Sequence, residues 1–366
     1  MSIKRNVLLN PGPATTTDSV KLAQVVPDIC PREKEFGQVM EFVSKELTNI
    51  VANEEEYTTI LIGGSGTAGV ESMISSVVAQ GHLLIINNGA YGKRMVEIAQ
   101  AYNINYIEFI SSPIDPIDLE KLEAIIVANK DKLTHVAMIH HETTTGLLNP
   151  IGMVGALCKK YKLELLVDAM SSFGGIPIDM KSMNISFMVS SSNKCIQGMA
   201  GLVFVICNRK SLENIKGNKR RNLYLSLYDQ YEYFKKNYQM RFTPPVQTLY
   251  ALKEAIIEFK EEGMENRYNR YSDCWKTLID GLERLGLEYL VEKENQSRLI
   301  TTIIDPNYDK YDFDHMHDYL YEKGFTIYPG KISFKNTFRI ANIGQIYPAD
   351  IAEFINVMEE YLNTIK

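Results

Sequence analysis

The feature that most constrains this chain is a repeated alternation of short, β-branched apolar runs with amphipathic stretches of helical length. Runs at 57–64 (YTTILIGG), 82–87, 104–110, 135–140, 164–168, 185–190 and 201–207 are apolar or β-branched almost throughout. Strands of that kind need cover on both faces, as in a mostly parallel sheet. Stretches at 70–79, 92–101, 117–128 and 153–161 fall between them and have helical periodicity. Successive βα units of this sort predict a doubly wound α/β domain.

From about Pro245 the texture changes. Two long helical stretches are expected, one ending near Gly263 and one over 265–285. Strands at 299–304, 325–328 and 337–341 follow, with helices over 313–323 and from Ala349, which reads as a smaller α+β domain. The expected division is a large domain at 15–260 and a small one at 261–366, with segment 1–14 packing near the latter. A chain of 366 residues is long enough for both.

Composition narrows the function classes. The net charge is −6, and the short basic cluster Lys216–Arg221 reads as a solvated turn, so a nucleic-acid partner is not expected. Five scattered cysteines with no CxxC pair suit reduced thiols better than disulfides or a zinc site. No run approaches the roughly 18 apolar residues of a membrane span, and the first residues lack the apolar core of a secretory signal. The expectation is a cytoplasmic protein with no membrane partner.

Ligands of open parallel sheets sit at the carboxyl ends of the strands, and four polar clusters fall there. The first is Gly63-Gly64-Ser65-Gly66-Thr67-Ala68-Gly69. Glycines admit an anion close to the backbone, and the next helix offers free N–H groups and a positive dipole end. Gly64, Gly66 and Gly69 match a dinucleotide fingerprint, but Asn87 and Asn88 stand where a ribose-binding acid is required. A monophosphate cradle fits better, with a plain glycine turn as the alternative. The second cluster, His141-Glu142-Thr143-Thr144-Thr145-Gly146, supplies hydroxyls for a ligand or simply an ST-turn. Adjacent His140 and His141 point to opposite faces of a strand, so no metal site is expected.

The third cluster ends an apolar strand in Asp168. A carboxylate there is costly unless something satisfies it, and a protonated pyridine nitrogen would. The fourth is Ser190-Ser191-Ser192-Asn193-Lys194. A lysine desolvated at a strand end has the lowered pKa that a Schiff-base amine needs. Alone it reads as a surface residue; with Asp168 one unit earlier, it reads as a cofactor lysine.

These blocks resemble the class V aminotransferases of the pyridoxal-phosphate-dependent fold type I. The resemblance runs from LNPGP at 9–13 through GSGTAGVE, NNGAYGKRM, HHETTTGLLNPI and VDAMSSFGGIPID to SSNKCIQGMAG, RFTPP, YPGK and FRIANIG. It implies a pyridoxal 5′-phosphate cofactor held covalently by Lys194, with Asp168 on the ring nitrogen. Ser65, Gly66 and Thr67 would hold the phosphate, with Asn193 nearby. Tyr91 would stack on one ring face, Met170 touch the other, and Thr143 reach the ring hydroxyl. Thr243 would reach the phosphate of a partner subunit, making the site a property of a homodimer. Arg339 would bind the substrate anion. The implied activity is amino transfer from 2-aminoethylphosphonate to pyruvate, giving phosphonoacetaldehyde and alanine. Alanine–glyoxylate or serine–pyruvate exchange is the alternative.

One departure from the family pattern is Cys30-Pro31-Arg32-Glu33-Lys34-Glu35-Phe36, which replaces an aspartate-rich, tryptophan-containing segment of many relatives. Arg32 is therefore expected either as a second anion contact at the mouth of the site or as a surface ion pair with Glu33 or Glu35. A cysteine desulfurase would need a reactive thiol on a mobile loop, and none of the five cysteines has an obvious one.

Overall fold

The computed structural model of the protein describes residues 3–330, 332 and 334–365. Lys331, the last residue of the YPGK block, lies outside the described residues.

A seven-stranded sheet runs Tyr57–Gly63, Leu202–Asn208, Ile185–Ser191, Glu164–Asp168, Leu133–Ile139, His82–Asn87 and Tyr106–Ile110 in spatial order. Only Leu202–Asn208 is antiparallel to its neighbours; the other pairings are parallel. All seven strands fall where the apolar runs place them. Leu84, Ile86, Val136, Met138, Leu165 and Val167 face one layer, with helices Lys34–Asn49, Leu119–Ala128, Ile151–Tyr161 and Val246–Glu262. Leu83, Ile85, Ala137, Ile139 and Leu166 face the other, with helices Gly66–Val77, Ala90–Ala101 and Leu227–Asn237. Alternate residues of one strand thus enter two different cores, which is why those strands read as unbroken apolar runs.

The later part of the chain builds a second core. Cys274, Leu278 and Leu282 of helix Met264–Leu285 pack with Phe338 and Ile340, and with Phe354, Met358 and Leu362 of helix Pro348–Ile365. Val7 and Leu9 join this core, and Val7–Leu8 pairs in parallel with Phe325–Thr326.

Two expectations need correction. The 325–328 stretch is not one strand. Phe325–Thr326 pairs with the N-terminal segment, while Tyr328–Pro329 turns to pair with Thr337–Ala341. The run serves two sheets, which its composition does not reveal. The basic cluster is also more than a solvated turn. Arg221 donates to the Ser75 carbonyl at 2.9 Å, meeting the open carbonyls at the end of helix Gly66–Val77.

Close packing of helix Ile151–Tyr161, which leads into the Asp168 strand, yields a test. A Cβ on Gly155 would lie 1.8 Å from the main-chain oxygen of Met183. Helix propensity alone favours alanine over glycine by about 1 kcal/mol. Here the clash with backbone reverses the sign, and Gly155→Ala should destabilise the protein by about 1–3 kcal/mol in chemical denaturation.

Candidate active site

Strand Glu164–Asp168 lies inside the sheet, with Asp168 opposite Ile139 on one side and Val189 on the other. The residue is consequently only 5% exposed. Oδ1 accepts the Met170 N–H at 2.8 Å, its one hydrogen bond among the described residues. Burial, aided by the charge of Glu142, pushes the Asp168 carboxyl up from 3.8 to about 6, against the pull of Met170 N–H, Arg94 and Lys194. The turn behind it is fixed by Ser190, whose hydroxyl reaches the carbonyls of Ala169 and Met170 at 3.2 and 3.3 Å.

Lys194 leaves the end of the neighbouring strand, Ile185–Ser191, in a tight loop. The Gly198 N–H closes that loop on the Ser192 carbonyl at 2.7 Å, and Gln197 has φ +64. Lys194 Nζ donates to the Pro11 carbonyl at 2.6 Å. Gly12 has φ +136, and a Cβ there would sit 2.3 Å from Nζ, so only glycine leaves room for the lysine. Burial is the main cause that brings the Lys194 ammonium down from 10.5 to about 8, and the charge of Arg339 acts in the same direction.

The helix after Tyr57–Gly63 begins at Gly66, inside the glycine run and earlier than its apolar periodicity suggests. Ser65 occupies the N-cap position without capping through its hydroxyl. Its Oγ and the first N–H groups of the helix are therefore open to a ligand. A Cβ on Gly66 would lie 2.8 Å from Met170 Sδ. A cavity of about 340 Å³ opens here, and it brings together Ser65, Gly66, Thr67, Tyr91, Asp168, Met170, Asn193 and Lys194. A smaller one, about 40 Å³, shares Tyr91, Asp168, Met170 and Lys194 with it and adds Thr143, whose buried Oγ1 has no partner.

Arg339 is buried beside the cavity and does not line it. Its Nε and Nη2 donate to the Pro329 carbonyl at 3.1 and 3.0 Å, and Nη1 to the Thr143 carbonyl at 3.2 Å. Thr243 is exposed in the turn before helix Val246–Glu262, away from the lining of its own cavity. Arg32 is also elsewhere. It donates to the carbonyls of Met240 and Arg241 at 2.7 and 3.4 Å, and among the described residues it forms no ion pair with Glu33 or Glu35. Fixed backbone acceptors satisfy this guanidinium in place of a flexible surface carboxylate.

Several site residues escape sequence reasoning. Glu142 is fully buried and accepts from Thr144 N–H, Thr144 Oγ1 and Tyr91 N–H at 3.1, 2.6 and 3.3 Å. Burial raises its pKa. Arg94 lines the large cavity. The spacing Tyr91 to Arg94 puts both on one helix face, a signal that was available. His140 and His141 are held by serines: His140 Nδ1 by Ser172 at 2.9 Å, His141 Nδ1 by Ser171 at 3.0 Å and Nε2 by Ser297 at 2.8 Å. Burial pushes them down to about 4 and about 3, so both are neutral.

The sequence model of the family described as aminotransferase class-V matches residues 20–349. The chain belongs to the class V aminotransferases. A bifunctional phosphonoacetaldehyde hydrolase/aminoethylphosphonate transaminase of Clostridioides difficile is 43% identical over 98% of this chain; the chain spans 56% of that protein's length. A 2-aminoethylphosphonate–pyruvate transaminase of Bacillus cytotoxicus is also 43% identical, over 97% of both chains. Among solved structures, an alanine–glyoxylate aminotransferase from Nostoc sp. superposes with a TM-score of 0.91 at 26% identity, covering 99% of this chain and 96% of the other.

Class V aminotransferases depend on pyridoxal 5′-phosphate, and this cavity fits that group. It offers a buried acid, a half-buried lysine and a helix start where a Cβ is excluded, and the adjoining pocket offers an unpartnered threonine hydroxyl.

The Asp168 shift makes a stability prediction for this aminotransferase without its cofactor. The folded-state pKa is raised, so the folded protein holds the proton more tightly than the unfolded chain does. Stability is therefore lost as pH rises from about 4 through about 6. Asp168→Asn removes the charge and keeps the oxygen that accepts from Met170. It should stabilise the cofactor-free protein at pH 7 by on the order of 3 kcal/mol, with no gain below pH 4. Melting curves of both proteins across that range would check it.

Proposed function

We infer that this aminotransferase moves the amino group of 2-aminoethylphosphonate to pyruvate, yielding phosphonoacetaldehyde and alanine. The observation that carries the reading is the meeting of Lys194, Asp168 and the glycine-headed helix at one cavity. It is supported by 43% identity, over nearly the full length of both chains, to a relative that bears this activity in its name.

Bound cofactor supplies an aldehyde that exchanges with the substrate amine and a ring that spreads negative charge from the reacting carbon. The residues do the rest. Lys194 holds the cofactor until the substrate amine replaces it. Its Nζ, neutral above about pH 8, then takes the proton from the amine-bearing carbon of the donor. In the second half of the exchange it delivers a proton to the corresponding carbon of alanine. Asp168, ionised, would keep a proton on the ring nitrogen. Tyr91 and Met170 would hold the ring, and the unpartnered Thr143 Oγ1 would take its hydroxyl. Ser65, Gly66, Thr67 and Asn193 would hold the phosphate.

Arg339 receives the substrate anion in this reading. Its hydrogen bonds to Pro329 and Thr143 use three of its five N–H groups. One N–H remains on each of Nη1 and Nη2, a fork that suits a carboxylate or a phosphonate. Arg32 is not needed for this anion contact; within its own chain two of its donors go to the carbonyls of Met240 and Arg241. In a homodimer, the exposed Thr243 of each copy would be free to complete the phosphate end of the other's site. The separate cores support residues 15–260 as the cofactor-binding unit and 261–366, joined by 1–14, as the smaller one.

Lys194→Ala should abolish turnover, and borohydride reduction of the wild-type protein with cofactor should label Lys194; a label on another lysine would contradict the assignment. Arg339→Lys keeps the charge but loses the fork. It should weaken both half-reactions, each by about 1.5–3 kcal/mol in kcat/KM. The substrate itself is tested by following the cofactor spectrum with single donors. Conversion should be much faster with 2-aminoethylphosphonate than with serine, and pyruvate should be preferred to glyoxylate. Rapid conversion with serine and none with the phosphonate would leave the aminotransferase standing and overturn this substrate.

A further inference from the structure

The residues so far assigned to the cofactor's phosphate are all uncharged. A phosphate monoester carries nearly two negative charges at neutral pH, and taking it into a pocket of protein is costly without a compensating cation. The residues lining the 340 Å³ cavity include two cations, Lys194 and Arg94. Lys194 is committed to the aldehyde end, which leaves Arg94.

The surroundings of Arg94 are those of a cation held ready for an anion. It lies on helix Ala90–Ala101, one turn after Tyr91. Its guanidinium carbon sits 5.0 Å from the centroid of the Tyr91 ring, a contact that restrains the side chain. From there Nη1 reaches Thr67 Oγ1 at 3.5 Å, a long contact that leaves the donors of the guanidinium largely unused. No ion pair to Arg94 forms among the described residues. Thr67 is in the first turn of the helix that starts at Gly66, where N–H groups point out of the helix end. Guanidinium, hydroxyl and helix N-terminus thus meet in the lining of one cavity, where the Arg94 charge also acts on Asp168.

We propose that Arg94 is the charge partner of the cofactor phosphate, joining Thr67 in a subsite that selects a phosphorylated pyridoxal over the free aldehyde. The proposal rests on the cofactor reading above and adds a residue to it. The same side chain, through its contact with Tyr91, links the phosphate end of the cavity to the ring-stacking residue.

Equilibrium binding of pyridoxal 5′-phosphate and of unphosphorylated pyridoxal to the cofactor-free protein, followed by absorbance, separates the possibilities. Arg94→Met should weaken the phosphorylated aldehyde by about ten- to a hundredfold, as expected for one lost charge-assisted contact, and leave pyridoxal within about twofold. Arg94→Lys should recover part of the loss. An equal loss for both aldehydes would mean that Arg94 acts only through Tyr91, and no loss for either would mean that it does not act; each overturns the proposal. Independently of any variant, inorganic phosphate should protect Arg94 of the wild-type protein from phenylglyoxal, as mapped by peptide mass. Unprotected modification there would count against it equally. Failure of the wild-type protein to bind either aldehyde would remove the cofactor reading itself, a result distinct from the other two.

Discussion

A carboxylate and an amine taken out of water at the ends of two neighbouring strands, Asp168 and Lys194, are the constraint on which the rest of the structure turns. Asp168 is buried and Lys194 half-buried at the carboxyl ends of a sheet covered on both faces, and desolvation displaces the ionisation of each in the direction that disfavours charge. In an ordinary core such groups would be replaced by apolar ones. Here they are kept at a cost to stability, facing one cavity. That is the usual relation between stability and function at a site of perturbed ionisation.

Keeping these two groups in place recruits distant parts of the chain. The N-terminal segment crosses from a two-stranded sheet, where Val7–Leu8 pairs with Phe325–Thr326, to set the Pro11 carbonyl on Lys194 Nζ. Ala14 N–H then binds the carbonyl of Asn193 at 3.0 Å. From helix Met264–Leu285, the buried guanidinium of Arg267 donates to the carbonyl of Cys195 at 3.0 Å, and Glu262 neutralises it at 2.6 Å. The residues on either side of Lys194 are thus pinned by two separate regions. Arg339 completes the pattern: it arrives on a strand of the smaller sheet and binds the Thr143 carbonyl of the loop that follows a strand of the larger one. Arg339 and the pair Asp168 and Lys194 thus come from different sheets, and these cross-contacts set their relative position.

Much of this was written locally. Apolar runs of strand length, with amphipathic stretches between most of them, dictated a two-sided sheet, because alternate residues had to enter cores on opposite faces. Asp168 and the serine run before Lys194 stood out as polar residues ending apolar strands, a placement that only a ligand makes sensible. The glycines at 63–69 announced a close backbone approach. These signals survive in sequence because each depends on neighbours a few residues away along the chain.

What required the tertiary structure depends on residues far apart in sequence. The single run at 325–328 gives no sign that its two halves pair with different sheets, since partner choice lies with Val7–Leu8 and Thr337–Ala341. Nothing near Gly12 reveals that its missing side chain makes room for Lys194, or near Arg32 that its guanidinium is taken by the carbonyls at 240 and 241. Glu142 and Arg94 acquire meaning only from what faces them across the site, Tyr91 N–H for one and Thr67 for the other. Periodicity and turn chemistry act over a few residues, so the strands and the two ionisable groups at their carboxyl ends could be read along the chain. Burial and charge depend on whatever folding brings within a few ångströms, so which residues surround those groups, and which stay apart from them, emerges only in three dimensions.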